Sequence, residues 1–255
     1  MLAATQQTPP LAYSAAQLEC ARFAEAAESK IQTQSGGRTR RQTSSRHGTW
    51  QFRATAAGGV LALEGWLDSL SVTRRSPEAA ISPDTDGLLG GRYRGTLSQA
   101  GHYTPEVSPF VPDEVAEVAG MAEALNDLFP ALPDRPLGPG NVWTNSGGVT
   151  VSRLPDSVVS GTRLQRYGLK RQEKVGAVPT AADSIPLEVR QRSDETGWFV
   201  WHPQTGLVHR DRTIVIETTV PPSRTVRQAV RSKVEQQVTL VRLPPEPGCR
   251  ASAGR

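Results

Sequence analysis

Along much of the chain apolar and polar residues alternate one by one, the period of a strand with one buried face. Segment 49–55 shows it cleanly, with Trp50, Phe52 and Ala54 set against Gln51, Arg53 and Thr55. Gly58-Gly59 turns the chain into 60–73, a long bent strand that carries Trp66. Further strand-like segments follow at 89–98, 148–153, 162–175, 185–192, 197–202, 206–219 and 226–242. In the last of these, Val226, Val230, Val234, Val238 and Leu240 share one face, and Arg227, Arg231, Lys233, Glu235 and Gln237 the other. A long strand with one polar face belongs in an antiparallel sheet that is open to water on that side.

The period changes once. Pro112 suits a first helical turn, and Asp113-Glu114 complements the positive end of a helix. Val115, Val118, Ala119, Ala122, Leu125 and Phe129 then recur at helical spacing until Pro130, which predicts an amphipathic helix over 112–129. Its apolar stripe needs a cover, and the concave side of the sheet is the large partner available. The stretch 133–140 reads as a connector between two halves. These halves echo each other in their turns: 95–101 overlays 200–206, and Asp84-Thr85-Asp86-Gly87 overlays Asp194-Glu195-Thr196-Gly197. Gln99-Ala100-Gly101 and Gln204-Thr205-Gly206 place a glycine where φ is positive. A duplicated half-sheet would produce such a pattern, and so would turn chemistry alone. The fold class is therefore mainly β (α+β): one curved antiparallel sheet or half-barrel around one principal helix. It forms a single domain over 17–243, with halves 17–133 and 137–243. Unstructured tails are expected at 1–16 and 244–255.

Composition agrees with many short connections. Gly 23 and Pro 20 favour turns, and a hydrophobic share of 37% with 5% aromatics is lean for a compact domain of 255 residues. The formal charge of +4 is spread along the chain among acids, whereas a nucleic-acid binder concentrates it on one face, so nucleic acid is not an expected partner. The densest basic run, Arg38, Arg40, Arg41 and Arg46, lies among Gly, Ser, Thr and Gln; it reads as a solvated hairpin loop or as a polyanion-binding patch. No stretch of about 18 apolar residues exists to form a transmembrane helix. Met1-Leu2-Ala3-Ala4 before a polar, Pro-marked segment is what the end of a signal peptide would leave, which points to a periplasmic or secreted protein; a plain N-terminal tail is the other reading. Cys20 and Cys249 stand near the two ends, and in an exported protein they can close one disulfide around almost the whole chain. Their spacing fits neither a zinc site nor a CxxC redox pair.

No catalytic or metal motif emerges, and no cofactor is implied. Asp84-Thr85-Asp86-Gly87 begins like a calcium loop, but 88–95 supplies no further ligands, so an Asx turn is the better reading. His202 and His209 flank a turn and could face each other, while His47 and His102 have no partner spacing. Ser146 lacks an elbow motif, and Gly90-Gly91-Arg92 lacks the lysine of a phosphate cradle. Trp198 and Trp201 sit three apart on a strand, hence on opposite faces. The candidate ligand-binding set is the helix face, Val115, Val118, Ala122, Leu125 and Phe129, with the sheet aromatics Trp66, Trp143 and Trp201.

The glycine-marked hairpins at 95–101 and 200–206, the helix end Leu128-Phe129-Pro130-Ala131-Leu132-Pro133, and Leu137-Gly138-Pro139-Gly140-Asn141-Val142-Trp143 after it resemble the lipoprotein-carrier (LolA/LolB-like) proteins and their exported relatives. The likeness spans roughly 20–243. It implies a half-closed antiparallel sheet around a helical plug, residence in the cell envelope, and an apolar cavity. The function expected is non-enzymatic: an apolar ligand such as a lipid, or an envelope partner, held on the concave face. The alternatives are a structural subunit whose arginines contact anionic lipid or polysaccharide, and a hydrolase with dispersed catalytic residues.

Overall fold

The computed structural model describes residues 11–116, 118–121, 123–159, 161–175, 189–222, 227–247 and 249. Its strands are β1 (Arg22–Ser35), β2 (Arg38–Ala57), β3 (Val60–Arg75), β4 (Ala80–Ile81), β5 (Tyr93–Ser98), β6 (Tyr103–Val107), β7 (Val142–Thr144), β8 (Val149–Val159), β9 (Thr162–Val175), β10 (Arg190–His202), β11 (Gly206–Val220) and β12 (Val230–Leu243). All twelve belong to one open, curved antiparallel sheet in the order β6-β5-β3-β2-β1-β12-β11-β10-β9-β8-β7, with β4 attached to β3. The first half of the chain is thus laid from the centre outward. Segment 108–141 then carries the chain to the opposite edge, and the second half returns inward. First and last strands meet in the middle, from Arg22 opposite Leu243 to Ser35 opposite Val230.

Side-chain alternation gives the sheet an inner face and an outer face. Phe23, Trp50, Phe52, Leu61, Leu63, Tyr93, Leu97, Phe199 and Leu240 point inward and are buried. On β3 the inward parity changes from Leu61, Leu63 and Leu67 to Leu70 and Val72, because Thr49 pairs with Ser69 while Trp50 pairs with Leu67. Asp68 is the extra residue of this bulge, and it keeps both runs of leucines on the core side. Gly58 and Gly59, at φ 54° and 90°, make the turn expected between β2 and β3.

The segment over the inner face is not the continuous helix that its periodicity predicts. Helix α2 covers only Asp113–Ala116; among the described residues, 118–130 is a succession of turns, with bonds such as Ala124 N–H to the Met121 carbonyl and Leu128 N–H to that of Leu125. Gly120 weakens a helix here by about 1 kcal/mol relative to alanine. Sheet side chains also take the carbonyls a helix would need: Tyr93 Oη donates to Met121 O at 3.0 Å, and Arg210 donates to Leu128 O at 3.0 Å. The turns let Val115, Val118, Met121, Leu125, Leu128, Phe129 and Leu132 all reach the core, more than one helical stripe would present.

Parts of both expected tails, 11–16 and 244–247 with Cys249, are among the described residues. Residues 11–16 dock on the core. Tyr13 is buried edge-on to Phe129 and Trp201, and Ser14 caps the short helix α1 (Ala15–Leu18). Beyond β12, Cys249 is bonded to Cys20, with 5.9 Å between their Cα atoms. Residues 1–10 and 250–255 lie outside the described residues, as do 176–188, which include the first part of the expected strand 185–192.

Candidate functional site

The residues selected from sequence fall into three environments. Val115, Val118, Leu125, Phe129 and Trp201 are packed in the core, and Trp143 on β7 leans against it. Trp66 lies on the outer face, between the guanidinium of Arg92, 3.8 Å from its ring centre, and that of Arg53 at 5.6 Å. Ala122 is outside the described residues. None of these residues lines the cavities described below.

A layer of buried charge ends this packed zone. On the first half, Glu25 accepts from Arg46 Nη2 at 2.5 Å and from Trp50 Nε1 at 2.8 Å, and Arg46 Nη1 reaches Met121 Sδ at 3.6 Å. On the second half, Glu195 accepts from Arg210 Nη2 at 2.9 Å, with Arg212 Nη1 at 3.7 Å. Arg210 also holds the carbonyls of Asp127 and Leu128, so it fastens the crossing segment to the sheet. Burial, the largest influence, pulls the pKa of Arg210 down to about 10, and the neighbouring Arg212 adds to the effect. Every charge in this layer has a partner, as a low-dielectric setting requires.

Beyond this layer the strands continue, and their register fixes what the inner face presents. The next rows run Ser44, Ser29, Gln236, Ile214 and then Gln42, Ile31, Val234, Ile216. After them come Arg40, Thr33, Ser232, Thr218 and finally Arg38, Ser35, Val230, Val220. Ile31, Val234 and Ile216 are adjacent on three neighbouring strands and, with Ile214 next to Ile216, form a half-buried aliphatic strip; the polar row Thr33, Ser232 and Thr218 separates it from Val230 and Val220. At strand spacings of about 4.8 Å across and 3.3 Å per residue along, the strip measures roughly 10 by 7 Å between Cα positions. Beside it, where the β3–β4 hairpin curls toward the tip of β2, an open cavity of about 950 Å³ is lined by Thr33, Ser35, Arg38, Arg40, Arg74 and Ser76, among others. The basic run of the sequence is therefore one edge of a concavity. It begins a long strand because Gly36 and Gly37, at φ 57° and 75°, close the β1–β2 hairpin just before it.

The outer face carries a groove along β1, made of cavities of about 440, 630 and 500 Å³. Serine and threonine are frequent in the first two, and the third gathers Lys30, Arg41, Arg75 and Lys233 around Glu235, which pairs with Lys233 at 2.7 Å. The histidines do not assemble. His202 Nδ1 accepts from the N–H groups of Gln204 and Thr205, while His209 bonds Asp211 at 2.8 Å and stacks on the half-buried Trp198. As their spacing requires, Trp198 and Trp201 face opposite sides. Asp84 Oδ1 accepts from the Asp86 N–H at 2.9 Å, the expected Asx turn. Among the described residues no group of three or more His, Cys, Asp or Glu is placed to hold a metal, and no helix is long and apolar enough to cross a membrane.

No family model matches the sequence, and no curated protein matches it either. Among solved structures, a DUF1329 family protein from Desulfovibrio piger aligns with 8% identity over 86% of this chain and 84% of that one, at a TM-score of 0.16.

Proposed function

We propose that this chain is a non-enzymatic binding module of an exported protein, and that it holds an apolar ligand along the open end of its inner face. The observation that carries this reading is the half-buried aliphatic row Ile31–Val234–Ile216, which stands outside the core cluster that the crossing segment joins. Aliphatic side chains on a water-facing sheet leave apolar area that gains about 25 cal/mol per Å² when it is covered. The row lies beyond a sealed layer of paired charge, so a ligand can occupy it without disturbing the core. Export is in keeping with the Cys20–Cys249 bridge, since disulfides persist in oxidising compartments. A carrier-like ancestry is in keeping with one open antiparallel sheet filled from one side. A duplicated half would also account for the recurrence of a Glu–Arg pair in each half, Glu25–Arg46 and Glu195–Arg210, each touching the crossing segment.

Native mass spectrometry of protein purified without detergent tests the reading, together with titration of dodecyl maltoside below its micelle concentration. The double substitution Ile216→Thr with Val234→Thr keeps β-branched residues in the strands while making the row polar. Binding by the natural chain and its loss in the variant are expected. A natural chain that carries no co-purifying lipid and takes up no maltoside would overturn the proposal.

A further inference from the structure

Resting on that reading, we infer that the aliphatic strip and the arginine-lined cavity form one site for an anionic amphiphile, whose chain lies on the strip and whose acidic group sits against Arg38 and Arg40. Adjacency comes from the register. On β2, Gln42 stands opposite Ile31, Arg40 opposite Thr33 and Arg38 opposite Ser35. Arg40 and Arg38 thus lie on the same face as the strip, roughly 7 and 13 Å further along β2 than Gln42, by the rise of a strand. Half-buried Arg74 closes the site from β3, and the Ser76 and Thr33 hydroxyls add neutral donors.

How arginines are used elsewhere in the molecule sharpens the case. Near the crossing segment, Arg46, Arg153, Arg210 and Arg212 each stand against a carboxylate, supplied by Glu25, Asp156 or Glu195. At the open end, no carboxylate among the described residues comes within ion-pair distance of Arg38, Arg40 or Arg41; Arg40 is met by the side-chain amide of Gln42. Among the described lining residues, Glu78 is the one acid. Guanidinium groups converging on a concavity complement a phosphate or carboxylate through paired N–H donors. The basic cavity of the outer face, lined by Lys30, Arg41, Arg75 and Lys233, also holds Glu235, which pairs with Lys233 at 2.7 Å.

The experiment compares four probes by native mass spectrometry and calorimetry: lauroyl lysophosphatidylglycerol, lauroyl lysophosphatidylcholine, dodecyl maltoside and glycerol 3-phosphate. The lysophosphatidylglycerol should bind about tenfold tighter than the maltoside, with an advantage that shrinks as salt rises. Lysophosphatidylcholine should fall between them, and glycerol 3-phosphate alone should bind far more weakly. The exposed pair Arg38→Gln and Arg40→Gln should abolish the advantage and leave maltoside binding unchanged. Ile216→Thr with Val234→Thr should weaken all three amphiphiles. Equal affinity for charged and uncharged amphiphiles, or indifference to the arginine substitutions, overturns this inference and leaves apolar binding standing. Glycerol 3-phosphate binding as tightly as the lysolipid overturns the shared site. If no probe binds, the proposed function falls as well.

Discussion

Replacing both cysteines, Cys20→Ser with Cys249→Ser, probes how the sheet is closed. The bridge spans 229 residues, and it lies just beyond the end of the β1–β12 ladder, where the two halves of the sheet meet. Neither cysteine is buried, so the exchange removes little packing. The effect then falls on the unfolded chain, whose freedom the cross-link restricts. Chain-entropy arguments put a loop of this length at about 5 kcal/mol, a large part of the roughly 5–15 kcal/mol that holds a domain together. Cys20 sits at φ 59°, and serine inherits the same backbone cost, so that contribution cancels. Urea unfolding should be followed by far-UV circular dichroism and by the fluorescence of the tryptophans. The variant should keep the native β-sheet spectrum, lose about 3–5 kcal/mol, and show a steeper dependence on urea, because its unfolded state is less compact. A loss below about 1 kcal/mol with an unchanged slope, in protein whose natural form carries the intact bridge, would refute the reasoning.

Arg210→Met should cost about 3 kcal/mol, since it strands the buried carboxylate of Glu195 with only the more distant Arg212 and frees two carbonyls; adding Glu195→Gln should recover part of this, and denaturant titration of the single and double variants checks it. Trp50→Ala should destabilise by about 3–5 kcal/mol because the ring is fully buried, whereas Trp66→Ala on the outer face should cost about 1 kcal/mol, which thermal unfolding distinguishes. All four tyrosines titrate late. Burial pushes Tyr93 and Tyr103 up to about 12, and raises Tyr13 and Tyr167 as well. A raised phenol pKa contributes stability that is complete below pH 10 and is lost as pH climbs toward the folded value. Absorbance at about 295 nm should therefore show no phenolate step near pH 10 in native protein and a full one in urea.

Much of the outer half of the fold was legible because alternation is local. The pattern around Trp50 and Phe52 and the glycines at 58–59, 101 and 206 each follow from a few neighbouring residues. Strand β1 was not legible. Its stretch Ala24-Glu25-Ala26-Ala27-Glu28-Ser29-Lys30 is built of good helix formers, whose preference is a few tenths of a kcal/mol per residue. Ladders to β2 and β12 on both sides outweigh that preference and place it at the centre of the sheet. The reverse holds for 112–129. Its helical spacing is real, but carbonyls captured by Tyr93 and Arg210, with Gly120 in its interior, leave one short helix and a run of turns.

By itself the sequence determined a β-rich chain with turns in the right places, an inward set of large apolar residues on most strands, and two cysteines that can meet only if the ends meet. Strand partners, the central seam between β1 and β12, the face on which Trp66 emerges, and the joining of a basic run to an aliphatic strip were decided by tertiary structure alone. The reason is one of range. Side-chain parity is set within a strand, whereas register and neighbours are set by pairing between residues as far apart as Arg22 and Leu243.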